Sequence, residues 1–358
     1  TTEIYTLSLH DALPILTMLT DWVTAGGNLI AMRPDKQLAG LLGLVDEDGT
    51  LSEGYLLVDT AQRPGLGIVR QTIQYHSAAD LYTPAGATAV ATLYSNADTA
   101  TVNPAVTIRN VGGNGGQAAA FTYDLARSVV YTRQGNPNLA DTDADGDGIF
   151  RPNDLFFPDW VDLNKVAIPQ ADEQQRLLAN MIIHMNSDRK LLPRFWYFPH
   201  GHKAAVVMTG DEHGNDGTSA RFDQHLAYSD PEGSVEDWQT IRSTSYIYPT
   251  ANSLPAAAAA GYLAQGFEIG LHLDTGCASP SASELYALFE NQLAAWSVQY
   301  GNLPAPTTHR NHCIAWSGFT VLPEVGLEFG IRMEASYYYW PGARSEEHTS
   351  ELQSRQVI

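Results

Sequence analysis

The sequence predicts an α/β protein in two parts, an N-terminal α/β domain followed by a partial barrel of βα units. Three observations lead there. The chain has 358 residues, more than one ordinary domain holds and well suited to two. Near its start, a helical pattern stops at Gly26-Gly27 and the apolar run from Asn28 to Met32 follows, which reads as a helix leading into a buried strand. In the last third, the segments 209–214 (TGDEHG), 268–273 (EIGLHL) and 309–312 (HRNH) carry acid and imidazole side chains at the ends of strand-like runs. Parallel βα units gather a site at one face in this way.

Both ends read as something other than natural protein. Thr2 to Ile15 are what a familiar sequencing-library adapter encodes, and Arg344 to Gln353 are the translation of the opposite adapter. Residues 1–15 and 344–358 are therefore set aside as one sets aside fusion scars, and His10, Asp11 and His348 with them. The expectation is a domain truncated at its N-terminus and a barrel truncated at its C-terminus.

The formal net charge of −20 argues against nucleic acid or an anionic membrane surface as partner. No apolar run reaches the roughly eighteen residues that a membrane span needs. Sparse lysine, abundant Thr, Asn, Gly and Tyr, and only two cysteines suit an exported bacterial protein, placed extracellularly, in a periplasm or on the cell surface.

The first domain is read as 16–186. Leu16, Leu19, Trp22 and Val23 recur at helical spacing before the strand at 28–32. Strand-like segments follow at 67–75, 87–94, 105–109 and 117–123, separated by Gly- and Asn-rich turns. A closing amphipathic helix carries Leu177, Leu178, Met181, Ile182 and Met185 on one side. Within this domain, 143–154 has the ligand order of an EF-hand or dockerin-type calcium loop: Asp143, Asp145, Asp147 and Asp154 supply carboxylates, Gly148 makes the turn and Ile149 offers its carbonyl. Four carboxylates so close repel unless a cation compensates them, so a structural calcium ion is expected, against the alternative of a solvated acidic turn.

Residues 187–202 read as a linker with an aromatic cluster at 195–198, which either seals an interdomain contact or stacks on sugar rings. The second domain, 203–343, alternates strands and helices. Strands are expected at 204–208, 243–248, 267–273, around 307–310 and at 331–334. Pro255 opens an alanine-rich helix that Gly266 ends, and Ser281 with Glu284 forms a capping box for a helix burying Leu285, Leu288, Phe289, Leu293 and Trp296.

The segment from Leu19 to Ile30 (LTDWVTAGGNLI) resembles the late helix and strand of class I glutamine-amidotransferase-like domains, which implies a flavodoxin/glutamine-amidotransferase-like first domain. Glutaminase chemistry needs a cysteine, and none precedes Cys277, so this domain is read as non-catalytic. The second domain resembles the polysaccharide deacetylase superfamily, the NodB-like carbohydrate esterases, on three motifs. Thr209-Gly210-Asp211-Glu212-His213 stands where the family has its base and first metal ligand, Glu268-Ile-Gly-Leu-His272 where it has a metal histidine after a strand, and Arg310 in its arginine loop. The chain departs from the family at Gly276, where a second metal histidine is usual, and at Glu212, where a second Asp is usual.

The resemblance implies a metal-dependent hydrolase removing N- or O-acetyl groups from a glycan; the alternative is a non-catalytic, carbohydrate- or partner-binding surface protein that keeps the fold. Hydrolysis of an amide or ester gains from a divalent ion, zinc first, because it acidifies water and polarises a carbonyl. Asp211 is the expected base, and Arg310 orients it through a charge-assisted hydrogen bond. His272 is the first metal ligand; Glu212 or His213 is a second, and His312, or Asp274, a third. Cys277 and Cys313 suit a disulfide between two loops, as in an oxidising compartment, with metal thiolates the alternative. Glu334 and the aromatic run 337–340 read as barrel wall or as the lining of a sugar subsite.

Overall fold

The computed structural model describes residues 9–187, 201–202, 205–213, 217–250 and 254–337. The aromatic cluster at 195–198, most of the expected linker, and 338–340 lie outside the described residues. The chain divides into two units, one formed by Thr1–Gln134 with Val161–Arg194 and the other by Gly135–Trp160 with Phe195–Ile358.

In the first unit, α1 (Leu9–Thr24) leads into β1 (Asn28–Met32), and the short α2 (Ala39–Leu42) follows. Seven strands come next: β2 (Leu44–Ser52), β3 (Tyr55–Val58), β4 (Ile73–Gln74), β5 (Ala78–Pro84), β6 (Thr88–Tyr94), β7 (Ala100–Val111) and β8 (Gly116–Phe121). The helices α3 (Leu125–Gln134) and α4 (Gln170–Met185) complete the unit. α1 thus runs through residues 9–15, which the sequence reading set aside.

Six strands form one sheet in the order β1-β8-β7-β6-β3-β4, and β2 pairs with β5 separately. β8 shows why this sheet is covered on both faces. Ala119 and Phe121 join the cluster that holds Leu125, Val129, Leu177 and Met181 of α3 and α4. Ala118 and Ala120 join Val23 of α1, Leu42 and Tyr82 on the other side. Residues two apart in a strand share a face, so an unbroken apolar strand feeds two cores. Gly116 is required where α1 crosses, since a Cβ there would lie 1.8 Å from the Val23 carbonyl oxygen.

The flavodoxin-like expectation meets this unit only at its edge. β1 pairs with β8 in parallel, but β8–β7, β7–β6, β6–β3 and β3–β4 are all antiparallel. The physical reason is loop length: β6, β7 and β8 are joined by turns at 95–99 and 112–115, too short for the crossover a parallel pair needs. A glutamine-amidotransferase-like domain is not confirmed.

The second unit holds β9 (Thr209–Asp211), α5 (Gly217–Tyr228), β10 (Thr244–Ile247), α6 (Ala256–Ala264), β11 (Glu268–Leu273), α7 (Ala282–Tyr300), β12 (Thr308–Asn311), α8 (Val321–Glu328) and β13 (Met333–Glu334). Its five strands are all parallel and lie side by side in chain order, the arrangement of a curled partial barrel. The expected first strand at 204–208 is displaced: pairing begins at Thr209, and Val206 and Val207 are exposed. The capping box forms, with Ser281 Oγ accepting from the Glu284 amide at 3.4 Å and Glu284 Oε2 accepting from the Ser281 amide at 2.8 Å. α7 buries Leu285, Phe289, Trp296 and Tyr300. The acidic segment 143–154 packs with this unit, not with the first.

Candidate functional site

Parallel strands end their side-chain rows at one edge, and here that edge is rich in chemistry. β9 ends at Asp211, directly before Glu212 and His213. β11 carries His272 as its fifth residue, in register with Arg310 of β12. The turn after β12 carries His312.

Three imidazoles converge. His213, His272 and His312 each offer a ligand atom, and all of these atoms lie within 4.8 Å of one another. His213 Nε2 and His272 Nε2 are 3.0 Å apart. His272 is almost fully buried, and its Nδ1 donates to the Arg310 carbonyl at 3.0 Å, which leaves Nε2 with its lone pair facing His213. Burial pushes its pKa down to about 4, partly opposed by the negative Asp211, so the ring is neutral at neutral pH. Tyr248 packs against all three rings, with centroids 4.7 Å from His272, 5.6 Å from His312 and 5.9 Å from His213. Burial, with Asp274 and Asp211 nearby, raises the Tyr248 phenol to about 12.

Asp211 Oδ1 lies 3.9 Å from His272 Nδ1 and 3.7 Å from Arg310 Nε. The pairing with Arg310 is thus an ion pair and not the hydrogen bond expected. Both Asp211 Oδ1 and Arg310 Nε are buried without a hydrogen-bond partner among the described residues. The backbone of β9 is held from behind: Arg221 of α5 donates to the Asp211 carbonyl at 2.9 Å and to the Gly210 carbonyl at 3.2 Å.

Glu212 does not join the imidazoles. It is buried, and its amide donates to the Tyr246 carbonyl at 2.9 Å. Residues two apart along an extended chain point the same way, so Asp211 and His213 reach the cluster and Glu212 between them does not. That alternation was available in the sequence. Asp274 approaches the cluster at its margin, 3.6 Å from His312 Nδ1. Cys277 and Cys313 are bonded to each other, their Cα atoms 5.3 Å apart.

Two contributors were not singled out from sequence as part of this machinery, Arg221 and Tyr248, and no motif announces either. Glu334, read there as wall or subsite, lies half-buried in β13, the edge strand of the sheet, near Arg310. Desolvation raises its pKa to about 7 against the pull of Ser336, the Tyr337 amide and the Arg310 charge.

The acidic loop is closed largely on itself. Asp143 accepts from the amides of Gly146, Asp147 and Gly148, and Asp154 from those of Ala144, Asp145 and Arg151. Asp143, Asp145 and Asp154 bring carboxylate oxygens within 4.8 Å of one another. Asp147 turns away to pair with Arg151, and its carboxylate also accepts from the Ile149 amide at 3.0 Å.

No family model matches this chain, and no curated protein matches it. Solved structures similar to it include a GH42 β-galactosidase from G. stearothermophilus, at 16% identity over 30% of this chain and 17% of that one, with a TM-score of 0.23. A β-galactosidase from Rahnella sp. R3 shares 19% identity over 33% of this chain and 20% of its own, with a TM-score of 0.25. A family 4 carbohydrate esterase from Streptomyces lividans, in complex with acetate, shares 13% identity over 37% of this chain and 62% of its own, with a TM-score of 0.25. The chain therefore spans about a fifth of the length of these β-galactosidases and less than two thirds of the esterase.

Proposed function

We propose that the second unit is a metal-dependent hydrolase that removes N- or O-acetyl groups from a glycan, with His213, His272 and His312 holding a divalent transition ion, zinc first. The observation that carries this reading is the convergence of three imidazole donors beside a carboxylate and a guanidinium whose facing atoms are buried and lack partners. The donor set fits such an ion. Tetrahedral zinc with nitrogen bonds of about 2.0–2.1 Å sets its ligands roughly 3.3 Å apart, and the Nε2 atoms of His213 and His272 are 3.0 Å apart. The bond from His272 Nδ1 to the Arg310 carbonyl selects the tautomer a ligand needs.

When bound, the ion would acidify water and polarise the acetyl carbonyl. The chain's own residues do the rest. Asp211 takes the proton of the attacking water, its Oδ1 being the buried acceptor without a partner. Arg310 orients Asp211 and balances its charge from 3.7 Å. Tyr248 packs its ring against the three imidazoles and helps fix their positions. Calcium in the loop 143–154 is a second, structural part of the proposal, supported by the close oxygens of Asp143, Asp145 and Asp154. The disulfide supports export to an oxidising compartment.

The test is metal content by mass spectrometry beside acetate release from an acetylated glycan oligomer. Near-stoichiometric zinc, cobalt or nickel that is lost in His272→Ala, with acetate release that is lost in Asp211→Asn, is the expected result. A protein that takes up no transition metal overturns the hydrolase and leaves a non-catalytic carbohydrate- or partner-binding protein. Metal without turnover overturns the acetyl substrate.

A further inference from the structure

We propose that Cys277, Cys313 and His312 form a second metal site, for a thiophilic ion such as Zn2+ or Cu+, that opens when the disulfide is reduced. It rests on the hydrolase reading only in that His312 is shared. The two sulfurs flank one imidazole: Cys277 Sγ and Cys313 Sγ each lie 3.7 Å from His312 Nδ1. The three donor atoms fall within 4.8 Å of one another, and the Asp274 carboxylate is 3.6 Å from the same nitrogen. Two sulfurs and one nitrogen make a three-donor set, which a water would complete to the four ligands zinc takes.

The local backbone is shaped for this meeting. Cys277 follows β11 and Cys313 follows β12, and each sits in the left-handed region, at φ 56° and 58°, where residues other than glycine are uncommon. The spacing is unlike the Cys-x-x-Cys of ordinary zinc loops, because neighbouring strands, and not a single turn, bring the sulfurs together. All three residues are half-buried, so a small reductant and an ion can reach them.

Oxidation state decides which chemistry operates. In the disulfide each sulfur is bonded to the other and is a poor donor; a thiolate is among the strongest ligands for soft ions. A dithiol reductant breaks the S–S bond, delivering two electrons and two protons to make two thiols while becoming a disulfide itself. Ion binding then releases the thiol protons to solvent. A neutral imidazole has a single lone pair, so His312 can bind through Nδ1 only with its proton on Nε2. Reduction therefore draws His312 out of the imidazole trio and couples the state of the sulfurs to the occupancy of the first site.

Cobalt(II) is the probe, titrated anaerobically into the disulfide form and into protein reduced with a water-soluble phosphine and desalted. The expected result is a thiolate-to-cobalt charge-transfer band in the reduced form alone. The band is absent in Cys277→Ser/Cys313→Ser under both conditions. In reduced His312→Ala, cobalt affinity falls by at least the roughly tenfold that loss of an outer partner costs. Far-UV circular dichroism is recorded on every sample. A reduced protein that keeps its fold and shows no band overturns the inference, as does a band indifferent to His312→Ala, or loss of the folded spectrum on reduction. A disulfide form that binds no cobalt counts against the hydrolase and leaves the reduced arm to decide the thiolate site.

Discussion

Replacing Cys277 and Cys313 by serine removes a cross-link between residues 36 apart in sequence. Closing a loop of that length in the unfolded chain is worth about 13 cal/mol/K by the chain-entropy relation, or about 4 kcal/mol at 25 °C. Native domains are stable by roughly 5–15 kcal/mol, so the variant should fold with a much thinner margin. The assay is urea unfolding followed by tryptophan fluorescence, because Trp296 and Trp316 of the second unit are buried and Trp316 stands three residues from Cys313. With a slope of about 2 kcal/mol/M the midpoint should fall by about 2 M. Reduced wild-type protein should unfold at the midpoint of the double variant. A midpoint within about 0.3 M of the oxidised wild type, at unchanged slope, would refute the reasoning, since the cross-link would then not be constraining the unfolded chain.

Asp211→Asn should cut acetate release by about 10²–10⁴-fold while retaining the transition ion; loss of the ion together with activity would make Asp211 a ligand and not a base. His309, fully buried against Phe289, has its pKa pushed down to about 3 by burial. A histidine whose folded pKa lies below its unfolded 6.5 binds fewer protons when folded, so its contribution to stability is complete above pH 6.5 and drains away as pH falls towards 3. His309→Leu should flatten the acid limb of a melting-temperature profile, and an unchanged limb would show that the ring titrates without cost. Calcium at a hundredfold excess over its dissociation constant should stabilise the second unit by about 2.7 kcal/mol, seen as a raised melting temperature that Asp143→Ala abolishes; no shift at millimolar calcium rules the ion out.

The second sheet was the more legible part, because the run 267–273 shows the strand pattern and carries His272 together, while the strand ending at Asp211 was expected a few residues too early. Asp211, His213, His272, Arg310 and His312 are the residues the sequence singled out that the fold brings together. Residue type alone makes Glu212 and His213 equal candidates for a ligand; the alternation of an extended chain separates them. The first unit was less legible: its strand-like segments have the same apolar character whichever way they pair, and only the short turns at 95–99 and 112–115 decide for antiparallel. Arg221 acts on the backbone of β9 through carbonyls, a role that leaves no trace in residue type or spacing. The acidic segment was assigned to the first domain by its place in the chain, whereas its contacts, among them the bond from Arg151 Nε to the Cys313 carbonyl at 2.9 Å, tie it to the second unit.

The strands of the second sheet lie in the order in which they are made. A growing chain can therefore lay each βα unit against its predecessor as soon as it emerges, with few long loops to close. The imidazole trio follows a different timetable. His213 precedes His272 by 59 residues, and the carbonyl that aligns His272 belongs to Arg310, on the fourth strand to be made. Until that strand docks, His272 lacks the acceptor that directs its ring and His312 has no position. The three imidazoles consequently converge only once four strands are already in place.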